Sequence, residues 1–166
     1  MKFLFLLTNL SLLAFNSTAQ NYNEPSQAIA KFLDGLATAN VQKIAPFVSD
    51  VFVYQVFTTD KEKNVNTLLY RKDNFLYAVQ QAPKDSCTED VQMGFSSTDR
   101  VLSTVCSRFT RTLKNGQKVC GSRTFNLLWM QSGWQIIQGI ETQYWDCPNF
   151  NHDAQNISLP SPFKQD

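Results

Sequence analysis

Lys118–Tyr144 reads KVCGSRTFNLLWM, QSG, WQIIQGIETQY: two long runs rich in β-branched and aromatic residues, hinged on Ser132-Gly133. Strands of that length joined by a tight turn pair antiparallel. The run before them, Val101–Leu113, meets Lys118–Met130 at Asn115-Gly116, the strongest short hairpin signal because both residue types tolerate positive φ. Cys87–Phe95 precedes it across a turn at Phe95–Arg100. Four strands, Cys87–Phe95, Val101–Leu113, Lys118–Met130 and Trp134–Tyr144, therefore form one antiparallel meander.

Upstream, the period changes from two to 3.6. Pro25 suits the first turn of a helix. Ile29, Phe32, Leu33 and Leu36 then follow at the spacing of one buried stripe, with Asn40 as a stop. Val41, Ile44 and Phe47 predict a second short helix, disturbed by Pro46. Val51–Phe57 reads as a strand, Asp60–Lys63 as a solvated loop, and Leu68–Tyr70 as a short strand. Lys72–Gln81 carries Phe75, Leu76 and Val79 at helical spacing and is closed by Pro83. The expected fold class is α+β. A curved antiparallel sheet wraps around the amino-terminal helices, which cover one face and leave a cavity between the layers.

With 166 residues, 43% of them hydrophobic and 17% charged, the chain fits one globular domain. A net charge of +1 without a Lys/Arg cluster excludes a duplex-binding protein, so no nucleic acid partner is expected. Lys2, the apolar runs Phe3–Leu7 and Leu10–Phe15, and the small residues Ser17-Thr18-Ala19 form a signal-peptide pattern with cleavage before Gln20. The alternative, a membrane anchor, has to contend with an apolar stretch shorter than about 20 residues and broken by Thr8-Asn9. The boundaries are then a signal peptide at 1–19, one domain at 20–147 and a polar, proline-punctuated flexible tail at 148–166. The mature protein is expected to be secreted or extracytoplasmic (periplasmic in a bacterium), with no membrane attachment. Asn156-Ile157-Ser158 is a glycosylation sequon, meaningful in a eukaryote.

Four cysteines in an exported chain read as two disulfides. A metal site is the competing reading, but no Cys-x-x-Cys spacing exists and the single His152 lies in the tail, so no metal or other cofactor is implied. With the Asn115-Gly116 turn fixing register, Cys106 stands opposite Phe125 and Cys120 opposite Arg111, too far apart to bond. A four-residue loop at the preceding turn puts Cys87 opposite Cys106, and the Ser132-Gly133 turn brings Cys120 near Cys147. The expected pairs are Cys87–Cys106 and Cys120–Cys147.

The order of elements, and the local sequence across Ser26–Tyr144, resembles the NTF2-like superfamily, which includes SnoaL-like domains and ketosteroid isomerases. The resemblance rests on Ala28, Lys31, Phe32, Leu33, Leu36 and Ala37 followed by Val41, Ile44, Phe47 and Ser49-Asp50-Val51, and on the hairpin Trp129–Ile137. It implies a cone-shaped fold with an internal pocket. It also implies where an isomerase would keep its machinery: the carboxylate base falls on Val56, the helix Tyr on Phe32 and the late acid at or near Asn126. Val56 cannot accept a proton and Phe32 cannot donate one, so that chemistry is expected to be absent. Polyketide cyclases of the superfamily depend on an Asp and often a His, and the core has no His.

Five residues remain as candidates for contact with a ligand: Tyr54, Asn126, Met130, Gln138 and Glu141. Tyr54 either offers its hydroxyl to a pocket or is a core or rim tyrosine bonded to backbone. Asn126 is expected to face inward with Thr124, Leu128 and Met130, as a lone amide in an apolar wall or as ordinary sheet packing. Gln138 and Glu141 fall on opposite faces of the last strand. Glu141 is either a base with a raised pKa, or else a solvated residue or an ion-pair partner of Arg108 or Arg123. Phe125, Leu127 and Trp129 form the opposite row, expected outside, where an apolar patch would suit a homodimer. The expected function is an exported module that binds a small apolar molecule or a protein partner without catalysis. The alternative is an isomerase, dehydratase or cyclase built on Tyr54 and Glu141.

Overall fold

Residues 24–60, 64–83, 87–145 and 147 are described by the computed structural model. The expected signal peptide, Lys61–Lys63 of the expected loop, the sequon and the expected tail lie outside the described residues.

Pro25 opens α1 (Pro25–Ala37), which buries Ala28, Ile29, Phe32 and Leu33. The helix ends three residues before Asn40. The Thr38 hydroxyl donates to the Asp34 carbonyl at 2.8 Å, and Ala39 turns the chain with φ of 47°. Asn40 belongs to the next element: its side chain accepts from Lys43 N and caps α2 (Val41–Ile44). Pro46 then forces a single 3-10 turn at Ala45–Phe47.

β1 (Val48–Thr59) pairs with β2 (Val65–Arg71) as a hairpin, and α3 (Lys72–Gln81) follows directly. The meander is β3 (Cys87–Thr98), β4 (Leu102–Leu113), β5 (Lys118–Met130) and β6 (Gly133–Tyr144). One six-stranded sheet results, in the order β2-β1-β6-β5-β4-β3. The expectation of a wholly antiparallel sheet needs correction, because β1 and β6 run parallel. The meander's last strand returns beside β1 in the same direction, a pairing that no local turn signal announces.

The helices cover one face. Phe32 of α1 stacks on Phe75 of α3 at 5.9 Å and meets Phe125 of β5 edge-on at 5.6 Å, while Phe75 also contacts Phe52 and Tyr54 of β1. Phe125, Leu127 and Ile136 are fully buried with them. This overturns the expected facing of β5. Phe125 and Leu127 point at the helices, so Thr124, Asn126, Leu128 and Met130 take the outer face. There the Thr104 hydroxyl donates to Asn126 Oδ1 at 2.8 Å, and Asn126 Nδ2 donates to Gln138 Oε1 at 2.9 Å. The apolar outer row offered as a dimer surface is therefore absent: two of its three members are core, and Trp129 is 43% exposed at the strand end.

The cysteine register also differs. Gly116 has φ of +80° while Asn115 does not have positive φ, and Leu113 N donates to Gln117 O. The loop is thus three residues long, with glycine in the left-handed position, not a two-residue turn. Every pair slips by one: Cys106 faces Thr124 and Thr110 faces Cys120. The β3–β4 turn also falls later than expected, where Asp99 Oδ1 accepts from Val101 N and Leu102 N. Cys87 consequently pairs with Leu113, seven residues along β4 from Cys106, and the two cysteines are free thiols. Cys120 and Cys147 form a disulfide, with Cα atoms 5.5 Å apart.

Candidate functional site: a cavity over a buried ionic network

Cross-strand pairing assembles four charges on the inner face of the sheet. Arg123 of β5 stands opposite Glu141 of β6, and Glu89 of β3 opposite Arg111 of β4. A bulge near Ile137 brings Glu141 to this face: Ile136 and Glu141 both point inward although they stand five positions apart, an odd offset. Arg123 Nε donates to Glu141 Oε2 at 2.7 Å, and its two terminal nitrogens donate to the two oxygens of Glu89. Arg111 Nε donates to Glu89 Oε2 at 3.0 Å, and Arg111 Nη2 lies 3.6 Å from Glu141 Oε1. The Phe109 ring lies beneath the Arg123 guanidinium, 4.1 Å from centroid to Cζ.

Tyr54 completes the network. Its ring rests on Gly139, its partner across β1–β6, and its hydroxyl donates to Glu141 Oε2 at 2.5 Å. Gln143 Nε2 donates to the other oxygen at 2.6 Å. Glu141 is therefore the ion-pair partner of Arg123 and at the same time within hydrogen-bond reach of Tyr54. A lone buried charge would cost several kcal/mol, and here pairing and hydrogen bonding offset that cost.

Electrostatics fixes the protonation states. Burial pushes the Glu141 carboxyl up, but the Arg123 charge and the bonds from Tyr54, Arg123 and Gln143 outweigh it, leaving the pKa below its ordinary value. Burial, then the Glu141 charge, pushes the Tyr54 phenol well above 10.0. Burial disfavours the Arg123 charge, yet Glu141 and the other partners hold its pKa above the ordinary value. The pair rests as a carboxylate accepting from a neutral phenol. A carboxylate so stabilised is a weak base, and the phenol's proton is already committed.

Above this network is a cavity of about 430 Å³. Leu36 and Ala37 of α1, Phe75 and Val79 of α3, and Val56 of β1 supply its apolar walls. Tyr54, Tyr70, Cys87, Glu89 and Arg111 are its polar members. Of the five residues singled out in the sequence, Tyr54 lines the cavity and Glu141 lies behind it, joined through Tyr54 and Arg111. Asn126, Met130 and Gln138 are outside it. They belong to the opposite sheet face, since the alternation of β5 and the β6 bulge turn them away from the helices. Glu89, Arg111 and Tyr70 were not expected there. The available signal was that Arg123 shares a strand row with Phe125 and Leu127, so once that row is core an acidic partner must be found for it.

Solved structures share this arrangement of helices and sheet. An NTF2-like protein of unknown function from Shewanella baltica superposes with a TM-score of 0.52 at 14% identity, covering 71% of this chain and 89% of that one. A ketosteroid isomerase-like protein from Erwinia carotovora does so at 0.54 and 14%, covering 74% and 94%. An NTF2-like protein from Cytophaga hutchinsonii does so at 0.53 and 10%, covering 70% and 93%. The fold is NTF2-like. No family model matches the sequence, and no curated protein matches it. Within this NTF2-like fold, Val56 lines the cavity and Phe32 is fully buried in the core. Among the described residues, no helix is long and apolar enough to cross a membrane.

Proposed function

We propose that this chain is an exported NTF2-like module that holds a small, mostly apolar molecule in its cavity without transforming it. One observation carries this reading. The cavity is walled by apolar side chains, and the carboxylates at and behind its floor, Glu89 and Glu141, are both bound by arginines. Its volume falls in the range of about 300–1,000 Å³ usual for ligand pockets. The Cys120–Cys147 disulfide supports export, since such bonds persist in oxidising compartments. Mass spectrometry under native conditions, on protein purified from an exporting host, tests the reading. A co-purifying small molecule lost on denaturation supports it, and a bare chain under all gentle conditions counts against it.

The 2.5 Å Tyr54–Glu141 contact favours a second reading, an isomerase, dehydratase or cyclase. That reading needs Glu141 to accept a proton. The partners around Glu141 stabilise its charged form and oppose that step.

A further inference from the structure

The floor of the cavity also specifies the ligand's chemistry, and this step rests on the cavity-binding reading above. Glu89 and Arg111 are the charged members of the lining among the described residues. Their side chains are 15% and 25% exposed, against 2% for Arg123 and 4% for Glu141 behind them. Formal charges on these two glutamates and two arginines sum to zero. A ligand that brought a net charge into this partly dry site would leave it unbalanced.

Hydrogen-bonding capacity is less even. Both Glu89 oxygens accept from arginine, and Oε2 is shared by Arg123 and Arg111. Both Glu141 oxygens are engaged as well. Arg111 uses its Nε and Nη2 side on the two carboxylates, while its Nη1 has no hydrogen-bond partner among the described residues. Among the charged groups of the lining, the one left over is therefore a donor, on a guanidinium that cannot lose its proton.

We infer that the cavity takes an uncharged, mostly apolar molecule carrying a hydrogen-bond acceptor (a ketone, ester or amide carbonyl), which Arg111 Nη1 receives. The apolar body lies against Phe75, Val79 and Val56.

A matched set of naphthalenes tests this: acetylnaphthalene, naphthoate, naphthylmethylamine and ethylnaphthalene, each titrated into the full mature chain by calorimetry. Acetylnaphthalene is expected to bind roughly tenfold or more tightly than any of the other three, the worth of a hydrogen bond to a charged donor. Arg111→Met should remove that advantage, so that acetylnaphthalene and ethylnaphthalene bind the variant about equally. Equal binding of acetylnaphthalene and ethylnaphthalene would overturn the acceptor inference and leave the cavity reading intact. Tightest binding of naphthoate or the amine would overturn the charge argument. No binding of any probe would sink both the inference and the cavity reading. These rankings are read on the wild-type protein, so they stand even if the variant does not fold.

Discussion

The ring of Tyr54 lies directly on the bare α-carbon of Gly139, its partner across the parallel β1–β6 pairing. A methyl group at Gly139 would overlap ring carbons Cδ2 and Cε2. That close approach lets the phenol lie along the sheet and reach Glu141. Gly139→Ala should therefore lift the ring, break the Tyr54–Glu141 bond and cost about 1–3 kcal/mol. Urea denaturation checks it, and wild-type stability in the variant would mean the ring has room to move.

Tyr54→Phe keeps the ring and removes one donor from a buried carboxylate, which should cost about 1–3 kcal/mol. The wild-type phenol should also resist titration. Its pKa is raised above the unfolded value near 10, so the stability it contributes is present below that pH and is lost as pH climbs past it. Spectroscopic titration of the five tyrosines should show one that ionises only as the chain unfolds, a signal missing from Tyr54→Phe.

Glu141 has the opposite sign. Its folded pKa lies below the ordinary 4.5, so its contribution is present above about that pH and is lost as pH falls through the folded value. Glu141→Gln should flatten the acid limb of the stability–pH profile. At neutral pH it should cost about 3–5 kcal/mol, because a buried Arg123 loses a charged partner. An acid limb unchanged in the variant would show that other carboxylates govern it.

Peptide mapping of the protein without reduction should find Cys120 joined to Cys147, with Cys87 and Cys106 as free thiols. Reducing that bond, which closes a loop of 27 residues, should cost about 3 kcal/mol. A Cys87–Cys106 peptide would contradict the β3–β4 register.

Periodicity made the elements legible. The 3.6 spacing of Ile29, Phe32 and Leu33 marked α1, and the limits expected for α3 and β5 coincide with those observed. The facing of β5 was not legible, because apolar residues occupy both its rows and an arginine, Arg123, sits on the Phe125 row. A buried arginine is unusual until its partners are known, and those partners come from strands 34 and 18 residues away in sequence. Register failed at both the β3–β4 and β4–β5 turns, and at the second for a local reason. Asn115-Gly116 fits a two-residue turn as well as the three-residue loop actually used, and a slip of one residue moves every cross-strand partner. The bulge that brings Glu141 inward left no mark in the sequence either. The side taken by Tyr54 was left open for the same reason as the facing of β5: Val53 and Phe57 are apolar too, and only the structure shows Phe52, Tyr54 and Val56 as the buried row.

The claim that the cavity is a binding site is tested most directly with prodan, an uncharged naphthalene ketone whose emission shifts in apolar surroundings. Titrated into the protein and into Ala78→Trp, which fills the cavity from an exposed position on α3, it should bind the first at a single saturable site and fail to bind the second. Equal emission shifts in both proteins, or none in either, would contradict the account.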